Sequence, residues 1–481
     1  MISVFVKEQK RYTQEELFSL LHCSVDKSVS IIRKLKEFSV LKDVKATDLQ
    51  RDKSELLEED IEVADVETDG SEYFYIFTFV GIIVISGIVL KCYPKYLPND
   101  CQPNEELRQI VKVIEKTNAK EQTIRLFNDN ADFRTFNILA VLLFLLQDYY
   151  EYGTYRNSED TIESNGSGEI LWNKTINETF MMLSDNRPYY FELLTRKRVD
   201  DTNDYFKRLH ECIVTKASKE LLDAELLDIF GISEVDLTDE KLEDFGEKEY
   251  ILYRIEKELN VQFNTRKQLI LKAIFAYVAH GGSLLNTDSF SLIGTNSFNL
   301  VWENVCADIL DNKLHYALGS LELPVPLCPD YDSGMLLCDL IEKPLWTAAA
   351  MTASETLLPD IITITKSEKD FLFIIFDAKY YTPRLKRGVT PQRQPGIESI
   401  TKQYLYQLSY QKFINEHAFT RVSNCFLLPT KEERIIDGGE VKLQMLADFG
   451  LQNIKVRFIP ARLAYECYIS GEKMDINSLS L

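Results

Sequence analysis

The sequence predicts an α+β protein of several domains, and three patterns along the chain indicate it. Two short helical patterns precede apolar strands near the N-terminus, and helical periodicity dominates the middle. From about residue 286, short apolar strands alternate with helices in a mixed α/β pattern. At about 100–200 residues per domain, we divide the 481 residues into 1–98, 99–285 and 286–481.

The N-terminal region has the order helix, turn, helix and strands. Thr13 and Glu16 form a capping-box pattern at the start of the first helix. The second helix has apolar residues at helical spacing: Val29, Ile32, Leu35 and Phe38. This order is typical of a winged helix, whose second helix contacts DNA or a partner, and Arg33, Lys34 and Lys36 are the candidate contacts. An ordinary small helical domain is the alternative.

The uncharged run from Tyr73 to Leu90 is near the lower length limit of a transmembrane helix. Its β-branched and aromatic residues, interrupted by Gly81 and by Ser86-Gly87, instead predict two strands joined by a tight turn. Pro94 ends the second strand. We therefore expect no membrane segment here.

In the middle region the sequence predicts a buried helix over Phe136–Tyr149, a polar loop over Gly153–Gly168 and long helices over 205–230 and 249–280. The net charge of −20 is concentrated in residues 54–72, expected as an exposed loop, and in residues 220–249, expected as a solvated face. The nine cysteines form no Cys-x-x-Cys pair, and no signal peptide is recognisable. These features favour a reduced, cytoplasmic location.

The C-terminal region carries a pattern of alternating elements. It predicts a helix over Phe298–Leu310, strands over 361–364, 371–376, 425–428 and 455–459, and a helix over 399–416. Centring a hairpin between residues 367 and 368 places Asp360 opposite Asp377, and Lys379 then lies on the same face as Asp377. Two carboxylates and an ammonium group are thereby predicted to converge at the open end of the hairpin.

This set suits hydrolysis of a phosphodiester with a divalent metal. Mg²⁺, with Mn²⁺ as the alternative, takes carboxylate and water oxygens, polarises a phosphoryl oxygen and activates water. The lysine would position or deprotonate that water, or stabilise charge on the phosphate. Asp/Glu-x-Lys occurs six times in the chain, but only the example at Asp377 follows a six-residue apolar strand and faces a Pro-Asp. A strand-end salt bridge is the alternative interpretation.

Pro359-Asp360 with Asp377-Ala378-Lys379 resembles the signature of the PD-(D/E)xK nucleases. The resemblance implies a nuclease core over 286–481 in which Asp360, Asp377 and an acid on a preceding helix hold the metal. Glu303, after Trp302, is the candidate for that acid, and Asp308 is a weaker one. It also implies a catalytic glutamine on the helix after the lysine strand. Gln407 is favoured over Gln403, with a surface glutamine as the alternative.

The segments Val80–Val84 and Val89–Tyr96 look like the early β segment of McrC-like nuclease subunits, which often ends in a Pro-Lys such as Pro94-Lys95. Among these subunits, the chain most resembles the LlaJI type. This resemblance implies a subunit of a multi-subunit restriction system that cleaves double-stranded DNA in phage defence, with an McrB-like P-loop GTPase as partner. The chain itself has no Gly-x-x-x-x-Gly-Lys-Ser/Thr loop, so it is not the motor. The alternatives are a stand-alone restriction or repair nuclease and a non-enzymatic DNA-binding adaptor.

A basic segment follows the lysine by a few residues. The Pro- and Gly-rich stretch Thr382–Gly396, which excludes a long helix, contains Arg384, Lys386, Arg387 and Arg393 and no acid. We predict that these four residues hold the DNA backbone, because phosphate contacts come mainly from arginine and lysine. A mobile solvated loop is the alternative.

Overall fold

The computed structural model describes residues 1–45, 73–99, 101–127, 137–185, 187–200, 204–281, 283–284, 290–367 and 370–481. Two compact units form: one contains Leu126–Ser291 with Met1, and the other contains Ile2–Arg125 with Leu292–Leu481. The acidic stretch 54–72 lies outside the described residues, and the three-domain division of the chain stays a prediction.

The N-terminal part contains β1 (Ile2–Lys7), β2 (Arg11–Tyr12), α1 (Gln14–Leu21), α2 (Val25–Glu37), β3 (Leu41–Lys45), β4 (Tyr73–Phe77), β5 (Val80–Ile85), β6 (Ile88–Tyr93) and α3 (Asn104–Phe127). The predicted capping box is confirmed, since the Thr13 hydroxyl accepts a hydrogen bond from the Glu16 N–H and the Glu16 carboxylate accepts one from the Thr13 N–H. The apolar stripe of α2 differs from the prediction. Val29 is 51% exposed, and Ile31 is buried beside Ile32 and Leu35.

The apolar run 73–90 forms strands, as predicted, but these strands belong to two different sheets. β4 lies between β2 and β3 in a sheet of order β2-β4-β3, antiparallel to both. β5 and β6 form the predicted hairpin, with Val84 opposite Val89 and positive φ angles at Ser86 and Gly87. β6 also pairs in parallel with β1. No helix in the described part of the chain is long and apolar enough to cross a membrane.

The central elements are α4 (Ile138–Tyr152), β7 (Ser158–Ser164), β8 (Glu169–Ile170), α5 (Trp172–Glu178), β9 (Met181–Ser184), β10 (Arg187–Tyr190), β11 (Leu194–Asp200), α6 (Tyr205–Asp223), α7 (Leu227–Phe230), a 3-10 helix (Leu242–Phe245), α8 (Lys248–Val261) and α9 (Thr265–Ala279). The apolar helix α4 is confirmed. The polar loop predicted over Gly153–Gly168 is wrong in part, because β7 lies within it and pairs with β11. A strand of this composition, Ser-Glu-Asp-Thr-Ile-Glu-Ser, has no alternating apolar face for a sequence pattern to detect.

The single helix predicted over 249–280 is likewise two helices. The helix is interrupted between α8 and α9. The Asn264 side chain caps α9 by accepting a hydrogen bond from the Lys267 N–H at 3.1 Å. Asparagine is among the preferred N-cap residues, so this break had a local signal. The acidic stretch 220–249 is largely exposed, as predicted, but the Glu220 carboxylate is buried and accepts the Leu284 N–H at 2.8 Å.

The C-terminal elements are β12 (Phe290–Thr295), α10 (Phe298–Ile309), 3-10 helices at Leu318–Ser320 and Leu337–Leu340, β13 (Leu345–Trp346), β14 (Met351–Thr352), β15 (Ile361–Ser367), β16 (Asp370–Ala378), α11 (Ile397–Glu416), β17 (Arg421–Thr430), β18 (Ile436–Val441), α12 (Gln444–Ala447), β19 (Ile454–Pro460), α13 (Ala461–Ser470) and a 3-10 helix at Ile476–Leu479. The helices and strands predicted in this region are all present within a few residues of their expected bounds.

A mixed sheet of order β15-β16-β17-β19-β18 is the centre of this region. β16, β17 and β19 are parallel, while β15 and β18 are antiparallel at the edges. Ile374 and Phe376 pack on the side of α10 and α13, and the alternate residues Phe373 and Ile375 pack on the side of α11. Both faces of β16 are therefore covered, which explains its continuous apolar run.

β12 completes a sheet of order β1-β6-β5-β12, where two glycines allow close contact. A Cβ atom at Gly81 would lie 2.1 Å from the Ile293 carbonyl oxygen, and one at Gly294 would lie 2.2 Å from the Val80 oxygen. Both glycines have positive φ angles. No residue with a side chain fits at either position, so the glycine that interrupts the apolar run is required by packing.

Candidate active site

Asp360 and Asp377 meet at the open end of the β15–β16 hairpin. Ile361 pairs with Phe376, so the predicted register is confirmed and Asp360 comes opposite Asp377. The Asp360 Oδ2 atom accepts a hydrogen bond from the Ala378 N–H at 2.9 Å. Asn312 secures the start of β15, donating to the Asp360 carbonyl at 3.0 Å and accepting from the Ile362 N–H at 3.1 Å.

Lys379 forms an ion pair with Asp377, with 3.0 Å between Nζ and Oδ1. Asp377 is only 3% exposed. Its Oδ1 atom is buried and, apart from this ion pair, has no hydrogen-bond donor of good geometry. The Lys379 backbone N–H donates to the Leu427 carbonyl at 2.9 Å, which ties the residue to the neighbouring strand β17. The lysine is thus held between two strands with its charge directed to the carboxylates.

The Leu427 carbonyl also accepts the indole N–H of Trp302 at 3.3 Å. This bond anchors α10 beside the end of β16 and explains why Glu303, the next residue, belongs to the site. Burial raises the pKa of Glu303 to about 7, with Lys379 acting to lower it and Asp377 to raise it. Asp308, the weaker candidate, instead pairs with Lys473, whose Nζ lies 3.1 Å from Oδ1. The structure therefore favours Glu303 over Asp308 as the third acid.

The site brings together more acids than bases, and their mutual proximity shifts their pKa values. Burial, and then the charge of Asp377, raises the pKa of Asp360 well above its usual range. Burial alone would lower the pKa of Lys379, but the charges of Asp377, Asp360 and Glu303 outweigh it and the net shift is upward. Three buried or half-buried acids face one ammonium group, so a further cation would balance the charge of the ionised acids.

The donor set suits a hard divalent ion with an incomplete protein shell. Among the described residues, no three His, Cys, Asp or Glu side chains form a group that could hold a metal ion by themselves. Mg²⁺ at phosphoryl-transfer sites is usually held by one or two carboxylates, with waters and substrate phosphate completing the shell. Asp360, with its raised pKa, and Asp377, whose buried Oδ1 atom has no contact beyond the ion pair with Lys379, fit that arrangement.

Gln403 and Gln407 of α11 are both buried, so the surface alternative for Gln407 is wrong. The Gln407 side-chain oxygen accepts hydrogen bonds from the Asn424 amide at 2.7 Å and from the Gln452 N–H at 2.8 Å. These contacts give Gln407 a structural role, and its catalytic role stays a prediction. Gln403 donates to the Ile375 carbonyl at 2.8 Å, two residues before Asp377, and its buried oxygen has no partner.

Tyr406 is a candidate site residue that the sequence reasoning missed. It is buried on α11, and burial followed by the charges of Asp377, Asp360 and Glu303 raises its pKa. The sequence signal for Tyr406 was its position next to Gln407 on α11, the helix that follows Lys379. The charges of all three acids act on this tyrosine, which makes Tyr406 a candidate neighbour of the site.

A buried polar cluster connects the N-terminal strands to the residue after the lysine. The Tyr380 hydroxyl donates to the Glu8 carboxylate, which also accepts the Lys95 N–H at 3.1 Å. The Lys95 Nζ atom lies 4.5 Å from the centre of the Tyr380 ring. Glu8, Lys95 and Tyr380 are each no more than 6% exposed. Lys95 belongs to the Pro-Lys segment noted in the sequence, and its contacts give that segment a role in holding the end of the catalytic strand.

The predicted DNA contacts are placed on two surfaces. Arg384, Lys386 and Arg387 are exposed on a loop in which Arg384 and Gln392 form an isolated bridge, and Arg393 is half-buried. On α2, Arg33 pairs with Glu37 at 3.2 Å and Lys36 pairs with Asp43 at 2.7 Å, while Lys34 is half-buried. Their roles in DNA binding stay predictions.

Comparisons with known proteins agree with the resemblance found in the sequence. The family model of the LlaJI restriction endonucleases matches residues 79–325 and 331–461. The type II restriction enzyme BsuMI component YdjA of Bacillus subtilis (strain 168) is 24% identical over 417 residues, which cover 84% of this chain and 83% of that protein.

Two solved structures also match the chain, at low identity. One contains McrB AAA+ hexamers with bound McrC from Thermococcus gammatolerans, with 13% identity, a TM-score of 0.33, and 98% of this chain and 99% of that chain covered. The other is the McrBC complex of the same organism, with 13% identity, a TM-score of 0.24, and 63% and 84% covered. The family match extends from the early β hairpin through the Asp360–Asp377–Lys379 site to the end of β19, and the chain therefore belongs to the LlaJI restriction endonuclease family.

Proposed function

We propose that the chain is the DNA-cleaving subunit of a multi-subunit restriction system active in phage defence. It hydrolyses phosphodiester bonds of double-stranded DNA with Mg²⁺, within a C-terminal PD-(D/E)xK nuclease core. The observation that carries the proposal is the convergence of Asp360, Asp377 and Lys379 at one hairpin end, in a member of a restriction endonuclease family. An isolated strand-end salt bridge would need one carboxylate and one lysine; this site brings three acids to one lysine.

Asp360 and Asp377 would hold the metal, with Glu303 assisting from α10. A bound Mg²⁺ supplies Lewis-acid polarisation of the scissile phosphate and an activated water. Lys379 keeps its proton beside the acids, because the net shift of its pKa is upward. It would orient the attacking water and stabilise the charge that develops on the phosphate.

The partner is an McrB-like P-loop GTPase. The support is the resemblance of Val80–Val84 and Val89–Tyr96 to McrC-like subunits, together with a curated relative that is itself named as one component of an enzyme. The chain contains no P-loop of its own, so nucleotide hydrolysis has to come from another subunit.

The decisive experiment compares the chain with its Asp377→Ala variant on plasmid DNA, with Mg²⁺ or with EDTA, in the presence of a P-loop GTPase that co-purifies with the chain from its native cell. The wild type should cleave only with Mg²⁺ and the variant should not cleave. The variant should remain folded, because Asp360 is still available to pair with Lys379. A folded variant that cleaves at the wild-type rate would disprove the site. Wild-type inactivity with every partner present would instead favour the non-enzymatic adaptor.

A further inference from the structure

Glu8 and Lys95 come from the N-terminal part of the chain, yet both contact the residue that directly follows Lys379. The Glu8 carboxylate accepts the Tyr380 hydroxyl and the Lys95 N–H, and this N–H also donates to the Tyr380 oxygen at 3.3 Å. Burial, and then the charge of Glu8, raises the pKa of Tyr380, so its hydroxyl keeps the proton that it donates. The tyrosine is thus held at its hydroxyl end.

The ring of Tyr380 is fixed as well. The Lys95 Nζ atom, which donates to the Gln9 side-chain oxygen at 3.2 Å, lies 4.5 Å from the centre of this ring. A cation over an aromatic face is attracted to the ring, and more strongly where water is excluded. The Phe298 ring of α10 packs against the same tyrosine, with 5.3 Å between the ring centres. Tyr380 therefore has little freedom to shift.

Lys379 lies between two fixed parts of the main chain. On one side its own N–H donates to the Leu427 carbonyl of β17 at 2.9 Å. On the other side the chain continues directly into the buried Tyr380. The positions open to the lysine ammonium group, which lies 3.0 Å from Asp377, are limited accordingly.

A second series of contacts runs from the same N-terminal segment to the same carbonyl. The hydroxyl of Tyr96, the residue after Lys95, bonds to the Tyr465 hydroxyl at 3.3 Å. The Tyr465 ring packs edge-on against Trp302, with 6.2 Å between the ring centres. The Trp302 indole N–H donates to the Leu427 carbonyl, which also accepts from Lys379. Both series of contacts therefore end at the main chain of Lys379.

We propose that Glu8, Lys95 and Tyr380 are positioning residues, which hold the main chain after Lys379 so that its ammonium group is directed at the phosphate that is cleaved. The sheet that contains β1 and β6 thereby becomes part of the nuclease site, although it supplies no group that touches the reacting atoms. A displacement of about 1 Å can cost about 10²-fold in rate. The target of the lysine rests on the proposed function, whereas its fixed position does not.

The first test measures DNA affinity and the cleavage rate at saturating DNA, for the full chain with Mg²⁺ and its co-purifying P-loop GTPase. Tyr380→Phe removes one hydroxyl and keeps the ring, and it should lower the rate by about 10-fold or more while affinity hardly changes. Glu8→Ala should lower the rate more than Glu8→Gln, because glutamine keeps an oxygen that can accept from both donors. A wild-type rate in folded Tyr380→Phe, or the reverse order of the two Glu8 variants, would overturn the proposal.

Tyr410→Phe is the matched control. Tyr410 is buried on α11, and its hydroxyl donates to the Leu337 carbonyl at 3.2 Å, so the same atom and a similar hydrogen bond are lost away from Lys379. The control should lose stability without a change in the cleavage rate. An equal loss of rate in the control would overturn the proposal, since the loss of any buried hydroxyl would then be sufficient.

The second test needs neither cleavage nor metal. Hydrogen exchange of the wild type and the two tyrosine variants in EDTA, followed by mass spectrometry, reports how firmly each segment of main chain is held. Tyr380→Phe should accelerate exchange in peptides that span residues 378–381 more than in peptides of β19, and Tyr410→Phe should not single out that segment. Unchanged exchange there in Tyr380→Phe would overturn the proposal. Accelerated exchange in a chain that never cleaves DNA would support the fixed lysine while the proposed nuclease function fails.

Discussion

Glu303 and Asp308 lie five residues apart on the same helix and differ in their surroundings. Glu303 senses both Asp377 and Lys379, whereas Asp308 is paired with Lys473 on a half-exposed surface. We expect Glu303→Gln to reduce the cleavage rate by at least about 10-fold through weaker metal binding. Asp308→Asn should leave the rate unchanged, because an exposed ion pair contributes at most about 1 kcal/mol. Cleavage rates over a range of Mg²⁺ concentrations would measure this, and equal losses in the two variants would contradict the assignment.

Lys379 provides a second comparison at the residue scale. Lys379→Arg keeps the positive charge, but the planar guanidinium group cannot take the position of the ammonium group against Asp377. We expect the cleavage rate to fall by about 10²–10³, the magnitude found when one donor to transition-state charge is removed. DNA affinity should hardly change. A matched loss of affinity and rate in binding and cleavage assays would instead make the lysine a phosphate anchor.

The crowded acids also predict how stability depends on pH. The folded protein holds a proton on Asp360 that the unfolded chain releases above its ordinary pKa of about 3.9, and Glu303 behaves similarly up to about pH 7. In EDTA the free energy of unfolding should therefore fall as the pH rises from about 4. For one group the slope is no steeper than about 1.4 kcal/mol per pH unit.

Denaturant unfolding in EDTA across this pH range would measure the effect. Asp360→Asn should flatten the slope, because the amide does not titrate. Mg²⁺ should weaken or reverse the decline, since it replaces the proton as the counter-charge of Asp360. A wild type whose stability rises with pH in EDTA would refute the charge state assigned to Asp360.

At the scale of elements, two basic surfaces compete for the role of DNA clamp. The loop cations Arg384, Lys386 and Arg387 are exposed, whereas Arg33 and Lys36 on α2 are already paired with acids. We expect the triple alanine variant of the loop to weaken DNA binding for any sequence. It should also flatten the salt slope by up to about 0.9 per lost phosphate contact.

The triple alanine variant of Arg33, Lys34 and Lys36 removes the same number of charges from α2 and is the control. Its effect on the salt slope should be smaller than that of the loop variant. The reverse order in an anisotropy titration would support the winged-helix hypothesis for α2. An unchanged slope in the loop variant, together with lost partner binding, would assign the loop to the GTPase interface.

For the whole molecule, the central prediction concerns the partner. The purified chain alone should bind DNA but cleave it poorly, and addition of the co-purifying P-loop GTPase with GTP should raise cleavage by at least about 10-fold. The reason is that the chain carries the acids for hydrolysis and no nucleotide-binding loop for translocation. Efficient cleavage at a defined site by the chain alone would favour the stand-alone nuclease.

Much of the site was predictable because its signals are local. The register of a short hairpin follows from its turn, so Asp360, Asp377 and Lys379 could be brought together by counting residues. The helices α10 and α11 and the Ser86-Gly87 turn also carry strong local patterns. The strand β7 was missed because its polar sequence has no alternating apolar face. The break between α8 and α9 was missed because helical periodicity was followed across it, although Asn264 is a favourable N-cap.

The sequence by itself determined the family, the apolar hairpin and the acids and lysine at its end, since these depend on residue type and spacing along one segment. Only the tertiary structure placed Asp308 against Lys473 and buried Gln407 in a hydrogen-bond network. It also brought Glu8 to Tyr380 across more than 370 residues of chain. The physical reason is that burial, charge coupling and long-range hydrogen bonds arise from packing between segments, which periodicity within one segment does not encode.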